Sequence, residues 1–483
     1  MMRSTADIVR SPIPEEKRLL LEARWSELPD ELKVGWQSVG QQIVHCGFTL
    51  GPSYCSFGCS HCYLPSNANR VPLPSLEDMK AQIDANRALM GPGSGLQITG
   101  GDVVDAYVRA GRPEELVEVV RYATDAGVVP MVMTHGQKLL EHPDLLDRLV
   151  AEAGLRKLAI HIDVTQAGRP GFPVRGLRSE ADLHPLRERF VDLILASQER
   201  TGVQFAAAHT VTVTERNLDD VGELVDWMLG DPRRLRAFRM LSLQPEAAVG
   251  RTRSSGRPAT PEAVWARVGE AVARRAPAGA TTPWGTGTFW LGHPDCSHMT
   301  TLAVLYPSGR TLNLLPGGEE DREFFSEVLG AFGGVGFRGA SPWVANLERL
   351  ALVARRPSMV WKTLRFARHV LRSSGIGWLD ALRHLLGRRF NALNIIQHNF
   401  MDASEIRGRS ETVEKRLAAC AFRGAVRDGD GWRAVPMCAM NAEERETLYA
   451  ERIGAGPSSR GGRTAAARSS TRSQGTTSTS VRR

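Results

Sequence analysis

With 483 residues, of which 42% are hydrophobic and 24% charged, the chain has the composition of an ordinary globular protein with material for a large domain and a smaller one. That balance excludes fibrous, collagenous and mostly disordered classes. The formal charge of +8 draws six charges from an acid-free tail (Arg460, Arg463, Arg468, Arg472, Arg482, Arg483), leaving about +2 elsewhere, too weak a footprint for a nucleic-acid partner.

In chain order, residues 1–42 read as an N-terminal helical extension. Their start, MMRSTADIVRSPIPEEKRLLLEARW, is broken by Pro and dense in charge, so it lacks the apolar core of a secretory signal. No run approaches the roughly 18 to 20 apolar residues that span a bilayer. A cytoplasmic location follows as the expectation, and seven cysteines there are better metal ligands or buried thiols than disulfides.

Residues 43–250 alternate short apolar runs with amphipathic stretches. The runs are QQIVHCGFTL, LQIT, VVPMVMTH, KLAIHIDV, FAAAHTVTV and FRMLSLQP, each short enough for a strand buried in a parallel sheet. Between them, PSLEDMKAQIDANRALM opens with Ser75 three residues before Asp78, a capping arrangement, and PEELVEVVRYATDAG opens with Pro113 in a first-turn position. About six βα repeats predict an α/β fold, a partial (βα)6 TIM-like barrel, whose working residues belong at the C-terminal ends of the strands.

The cysteines of GPSYCSFGCSHCYLP, Cys55, Cys59 and Cys62, are spaced C-x3-C-x2-C on one predicted loop. Three thiolates can hold three irons of a cubane and leave the fourth open, whereas structural zinc takes four ligands and His61 is poorly placed as the fourth. With a strand before the first cysteine and Tyr63 after the third, the motif resembles that of the radical SAM superfamily. The resemblance implies a 4Fe-4S cluster on these cysteines, S-adenosylmethionine (SAM) on the open iron, and a reductant such as ferredoxin or flavodoxin.

Other positions are carried by the same resemblance. TGGDV at Thr99–Val103 is similar to the turn that meets the SAM amino group, with Gly100, Gly101 and Asp102 as its residues and Asp102 where Glu is usual; a simple turn is the alternative. Thr134–Gly136 resembles a TNG-type turn, with His135 as the departure. His161 and Asp163 end the fourth run and are either cofactor contacts or a structural pair. Thr212, with Thr214, on the fifth run and Gln244, with Pro245, on the sixth fall where ribose and adenine are expected.

After the linker-like GRTRSSGRPATP, residues 262–455 read as a smaller α+β C-terminal domain, and 456–483 as a disordered basic tail. Cys296, Cys420 and Cys438 are candidates for an auxiliary metal site, a second iron–sulfur cluster or iron, with His293, His298 or Cys46 as a further ligand; buried thiols are the alternative. HPDC, HNFMD and the C-x17-C ending in VPMCAMN resemble the C-terminal part of tetraether lipid synthase-type radical SAM proteins, which carry more cysteines. That likeness implies a lipid-like substrate with an unactivated carbon, acted on by an oxidoreductase or carbon–carbon bond-forming enzyme. A peptide-modifying radical SAM enzyme and a non-catalytic iron–sulfur scaffold remain open.

The stretch from Ala345 to Phe390 combines Leu, Val, Trp and Phe at helical spacing with many Arg and Lys, a pattern of helices that lie on an anionic membrane surface. A core-facing side with a solvated basic face is the plainer reading.

Overall fold

The protein was analysed as a computed structural model that describes residues 46–171, 177–252, 259–276, 292–315, 356–387 and 390–454, with isolated positions in 19–26 and 323–354. The expected tail, and the N-terminal extension apart from Leu19, Ala23 and Ser26, lie outside the described residues, as does half of the linker-like segment, residues 253–258.

Each of the six apolar runs contributes a strand: β1 (Cys46–Phe48), β2 (Gly95–Ile98), β3 (Val129–Thr134), β4 (Lys157–His161), β5 (Ala206–Val213) and β6 (Phe238–Pro245). They pair in sequence order and in parallel. The crossovers carry α1 (Leu76–Met90), α2 (Val103–Arg109), α3 (Pro113–Asp125), α4 (Gln137–Glu141), α5 (Pro143–Ala151), α6 (His184–Thr201), α7 (Val221–Leu229) and α8 (Pro232–Ala237), with α9 (Pro261–Arg274) after β6. Local chemistry sets their ends. Ser75 and Asp78 form a full capping box on α1, Pro113 opens α3, and Gly202 stops α6 in the left-handed conformation at φ 67°.

The region from 292 onward, expected as a smaller α+β domain, places its strands in this same sheet. These are β7 (Ser297–Leu305), β8 (Arg310–Asn313), β9 (Phe390–His398), β10 (Phe422–Asp428) and β11 (Gly431–Pro436). The order is β11-β10-β1-β2-β3-β4-β5-β6-β9-β7-β8. β10 lies parallel to β1, with Cys46 opposite Phe422, and β9 parallel to β6, with Met240 opposite Asn394. Antiparallel partners finish both edges, and among the described residues no pairing joins β11 to β8 to close a barrel. The C-terminal helices are α10 (Ser358–Ser373), α11 (Trp378–Leu386), α12 (Ala403–Gly408), α13 (Glu411–Ala418) and α14 (Arg445–Gly454). No helix among the described residues is long and apolar enough to cross a membrane.

The two faces of the sheet differ because strand side chains alternate. Leu96, Ile98, Val132, Leu158, Ile160, Val211, Leu241 and Leu243 point to the helices and form the main core with Ile83, Leu116, Val120, Leu149 and Phe190. Each such aliphatic side chain contributes about 1.5–3 kcal/mol by leaving water. The intervening positions are small, polar or flexible: Gln97, Met131, Met133, Ala159, His161, Ala208, Thr210, Ser242 and Gln244 line a cavity of about 250 Å³. Residues of that kind do not fill the space in front of them, so one face is a core and the other a pocket.

Candidate active site

The cysteine loop between β1 and α1 lies across this cavity. Cys55, Cys59 and Cys62 are free thiols, partly buried, and all three line it. Hydrogen bonds pin the loop on several sides. Asn69 accepts from the Cys55 amide at 3.1 Å and donates to its carbonyl at 2.9 Å; the Ser56 amide donates to Asp105 at 2.8 Å; the Gly58 amide donates to the Ala167 carbonyl at 2.8 Å. The segment after β6 closes the other side, where the Arg251 amide donates to the Cys62 and Leu64 carbonyls at 3.0 Å.

Burial pushes the Cys55 thiol well up, with the Asp102 charge adding to it, and raises Cys59 to about 12. Thiols so placed are poor nucleophiles until a cation compensates the thiolate. The Arg251 guanidinium donates to Cys62 Sγ at 2.9 Å. Among the described residues no three His, Cys, Asp or Glu side chains converge on a point that would hold a single metal ion. Three unbridged thiols on one pinned loop, facing a cavity beside a guanidinium, nevertheless fit the donor set of a multinuclear iron–sulfur cluster, whose irons each take one cysteine.

The turn after β2 is packed against that loop. The Gly101 amide donates to the Pro52 carbonyl and the Asp102 amide to the Tyr54 carbonyl, both at 2.8 Å. A Cβ on Gly100 would lie 2.2 Å from the Pro52 oxygen, and one on Gly101 2.1 Å from the Tyr54 oxygen. The sequence places these glycines for the approach of a ligand; here the backbone that needs the space is that of the cysteine loop itself. The Tyr63 hydroxyl donates to the Gly100 carbonyl at 2.6 Å and lies 3.3 Å from Thr99 Oγ1. Asp102, 2% exposed, caps α2 by accepting from the Asp105 amide at 2.7 Å, and its other oxygen accepts from the Thr134 hydroxyl at 2.8 Å and from the His135 amide. Its carboxylate thus faces the cavity already engaged by three internal donors.

His135 stacks on Phe57 with ring centres 3.7 Å apart and lies 3.8 Å from Asp105. Burial opposes the Asp105 charge, but hydrogen bonds from His135 and Ser56 outweigh it and hold the carboxyl at about 2. At the end of β4, His161 faces the cavity while its Nε2 lies 2.6 Å from Asp163 and 3.1 Å from Thr212 Oγ1. Asp163 is 2% exposed and does not reach the cavity. It accepts from the Thr212 amide at 2.9 Å and the Thr165 amide at 2.8 Å. Burial alone would raise its carboxyl; the His161 charge and these bonds bring it below the usual range. Thr212, Gln244 and Pro245 line the cavity, whereas Thr214 turns to Asn217.

Sequence reasoning missed three lining features and one contact beside the cavity. His61 Nδ1 lies 2.5 Å from the Glu246 carboxylate; Arg251 contacts Cys62; Asn441 and Arg445 enter from the C-terminal end of the chain. Only His61, between two cysteines of the motif, carried a signal. The others arrive from 180 to 390 positions away in the chain, by roughly counted separation, and no local pattern marks them.

Cys296, Cys420 and Cys438 do not line the cavity. They precede β7, precede β10 and follow β11, and each is electrostatically felt by another: Cys420 pushes up Cys296, and Cys420 and Cys296 push up Cys438. Burial is the larger cause for both, taking Cys438 to about 12. Arg416 hydrogen-bonds Cys296, and Cys420 Sγ donates to the Phe422 carbonyl at 3.1 Å. Of the suggested further ligands, the His293 carbonyl accepts from the Cys296 amide at 2.9 Å, His298 packs edge-on to Trp265, and Cys46 is buried in β1.

No family model matches the chain. No curated protein matches it in sequence. Among solved structures, the crystal structure of Streptococcus suis SuiB is similar over 48% of this chain and 46% of that one, at 13% identity and a TM-score of 0.34. The crystal structure of SuiB bound to S-adenosylmethionine is similar over 44% of this chain and 42% of that one, at 12% identity and a TM-score of 0.30. The chain therefore spans less than half the length of these neighbours.

Proposed function

We propose that this chain is a radical SAM enzyme whose Cys55, Cys59 and Cys62 hold a 4Fe-4S cluster in the mouth of a partial barrel. One observation carries the reading: the three thiols and the residues ending β2 to β6 line a single cavity, although they are spread over about 190 positions of sequence. The one-sided helix layer and the hollow inner face support the partial-barrel description. When bound, such a cluster would supply an electron for reductive cleavage of SAM, giving methionine and a carbon radical that abstracts hydrogen from a substrate.

The chain's own groups bind and orient. The carbonyl edge of the Thr99–Gly101 turn, fixed by Tyr63 and by the cysteine loop, receives the SAM ammonium. His161, held by Asp163, and Thr212 offer polar contacts from β4 and β5 to the nucleoside, and Gln244 does so from β6. Arg251 donates a hydrogen bond to the Cys62 sulfur. Met131, Met133, Met240, Phe400, Phe422 and Met437 give the rest of the cavity an apolar wall that excludes water and suits an unactivated, lipid-like carbon. Cys296, Cys420 and Cys438 are the ligands proposed for an auxiliary iron site, and a ferredoxin or flavodoxin is the proposed reductant.

Anaerobic reconstitution with iron and sulfide, then iron counting and a 5′-deoxyadenosine assay with dithionite and SAM, tests the reading. About four irons and 5′-deoxyadenosine are expected from the first site alone. Cys59→Ser should abolish SAM cleavage; cleavage that survives this substitution, or a loaded cluster that never yields 5′-deoxyadenosine, favours an iron–sulfur scaffold.

A further inference from the structure

Arg445, the first residue of α14, is 1% exposed and lines the cavity. Its partners are neutral. Nη1 lies 3.1 Å from the Tyr449 hydroxyl, Nε donates to Asn441 Oδ1 at 3.0 Å, and the guanidinium lies 5.1 Å from the centre of the Tyr63 ring. No ion pair with a carboxylate is formed by Arg445 among the described residues. The comparison within the chain is Arg187, which is equally buried and is paired with Glu180. A buried cation without an anion is strongly unfavourable, so the missing negative charge belongs to whatever occupies the cavity.

The position narrows its identity. The Tyr63 ring that carries the guanidinium ends in the hydroxyl bonded to the Gly100 carbonyl, so Arg445 sits one side chain away from the turn assigned to the SAM ammonium. In an α-amino acid the carboxylate is attached to the same carbon as the ammonium. We infer that Arg445 receives the α-carboxylate of SAM, the planar fork donating to its two oxygens in a way that a lysine would not reproduce. This assignment rests on the SAM reading given above.

The test is calorimetric titration of the anaerobically reconstituted full-length protein with SAM and with decarboxylated SAM, for the wild type and for Arg445→Gln and Arg445→Lys. The wild type should prefer SAM by about 10- to 100-fold, the range of a charge-assisted contact. Arg445→Gln should erase that preference while leaving the affinity for decarboxylated SAM and the iron content unchanged; Arg445→Lys should restore part of it. Equal wild-type affinities for the two compounds overturn the assignment without recourse to any variant. So does a variant that loses iron and both ligands together, which would make Arg445 the counter-charge of the cysteine sulfurs. A wild type that binds neither compound sinks the SAM reading itself.

A second surface stands on independent observations. Consecutive helices α10 and α11 expose Trp361 (74%), Leu364, Trp378 (54%), Leu379, Leu382, Leu385 and Leu386 (76%). On α11 these fall at i, i+1, i+4, i+7 and i+8, one continuous face. α10 also bears Arg365, Arg368 and Arg372 with no acidic residue of its own, Lys362 being paired with Glu327, and α11 adds Arg383 against a single Asp380. Exposed indole and leucine beside a cationic row complement a bilayer with anionic headgroups, and we propose that this face docks on such a membrane. Full-length protein should co-sediment with phosphatidylcholine vesicles containing phosphatidylglycerol, much less with phosphatidylcholine alone, and a Trp361→Ala/Trp378→Ala variant should lose at least about tenfold in binding. Absence of binding to either vesicle, or self-association that shields both tryptophans, overturns the proposal.

Discussion

Tyr63 and Gly100 are joined by a 2.6 Å hydrogen bond from phenol to carbonyl, which ties the end of the cysteine loop to the turn after β2. Burial raises the phenol to about 12, so it stays a donor well above neutral pH. Tyr63→Phe keeps the ring under Arg445 and removes only the donor. We expect a loss of about 1 kcal/mol in stability and a several-fold weaker SAM affinity, with iron content unchanged. Urea unfolding and calorimetry check both; unaltered SAM affinity would mean that the Gly100 carbonyl is held by its other contacts.

Gly101→Ala tests whether the double glycine serves the loop. The added Cβ would meet the Tyr54 and Ser53 carbonyl oxygens at 2.1 and 2.4 Å, and both belong to backbone that the Asp102 and Gly101 amides hold in place. Relief requires moving the cysteine loop, so about 3 kcal/mol of stability should go, together with iron retention. Gly58→Ala, in the same loop but with open space around its Cβ, should be tolerated. Equal stability of the two variants would show that the loop yields easily.

The contrast between β6 and β10 explains how much was legible in the sequence. FRMLSLQP coincides with β6, and the Ser75–Asp78 pair is a true capping box, because strand burial and caps are local properties written in neighbouring residues. That β10 adds to β1, and β9 to β6, was not legible: each pairing joins segments about 150 to 380 residues apart, fixed by tertiary packing. The candidate site divides in the same way. Cys55, Cys59, Cys62 and the glycine turn announce themselves by spacing, whereas Arg445 is one arginine in an ordinary helix until the fold buries it against Tyr63. Asp163, just after β4, braces His161 and Thr212 and does not line the cavity.

Cys420 adds to the rise of Cys296, and both add to that of Cys438, yet none of the three lines the main cavity, so their metal content should be separable from it. Replacing Cys420 and Cys438 together by Ala should lower bound iron while leaving about four irons and SAM binding at the first site. Iron content equal to the wild type would identify the three as structural thiols, as their burial also allows.

Arg187 and His209 set a pH dependence of stability that is independent of any cofactor. Arg187 Nε donates to His209 Nε2 at 3.0 Å, so that nitrogen is an acceptor and the ring is neutral. Burial, then the Arg187 charge, holds the His209 pKa well below its ordinary value, and the same two causes bring His184 to about 4. The unfolded chain therefore takes up protons first, near pH 6.5, while the folded state refuses them. Stability is complete above that pH and should fall as pH drops toward about 4, where His184 protonates in the folded state. The slope contributed by the fully buried His209 should approach about 1.4 kcal/mol per pH unit, with a smaller share from the half-exposed His184. Urea unfolding at intervals between pH 7 and pH 5 reads it directly. His209→Gln, which retains an acceptor for Arg187, should flatten the slope by about one proton; an unchanged slope would mean that water reaches His209 and that the Arg187 contact is not what keeps it neutral.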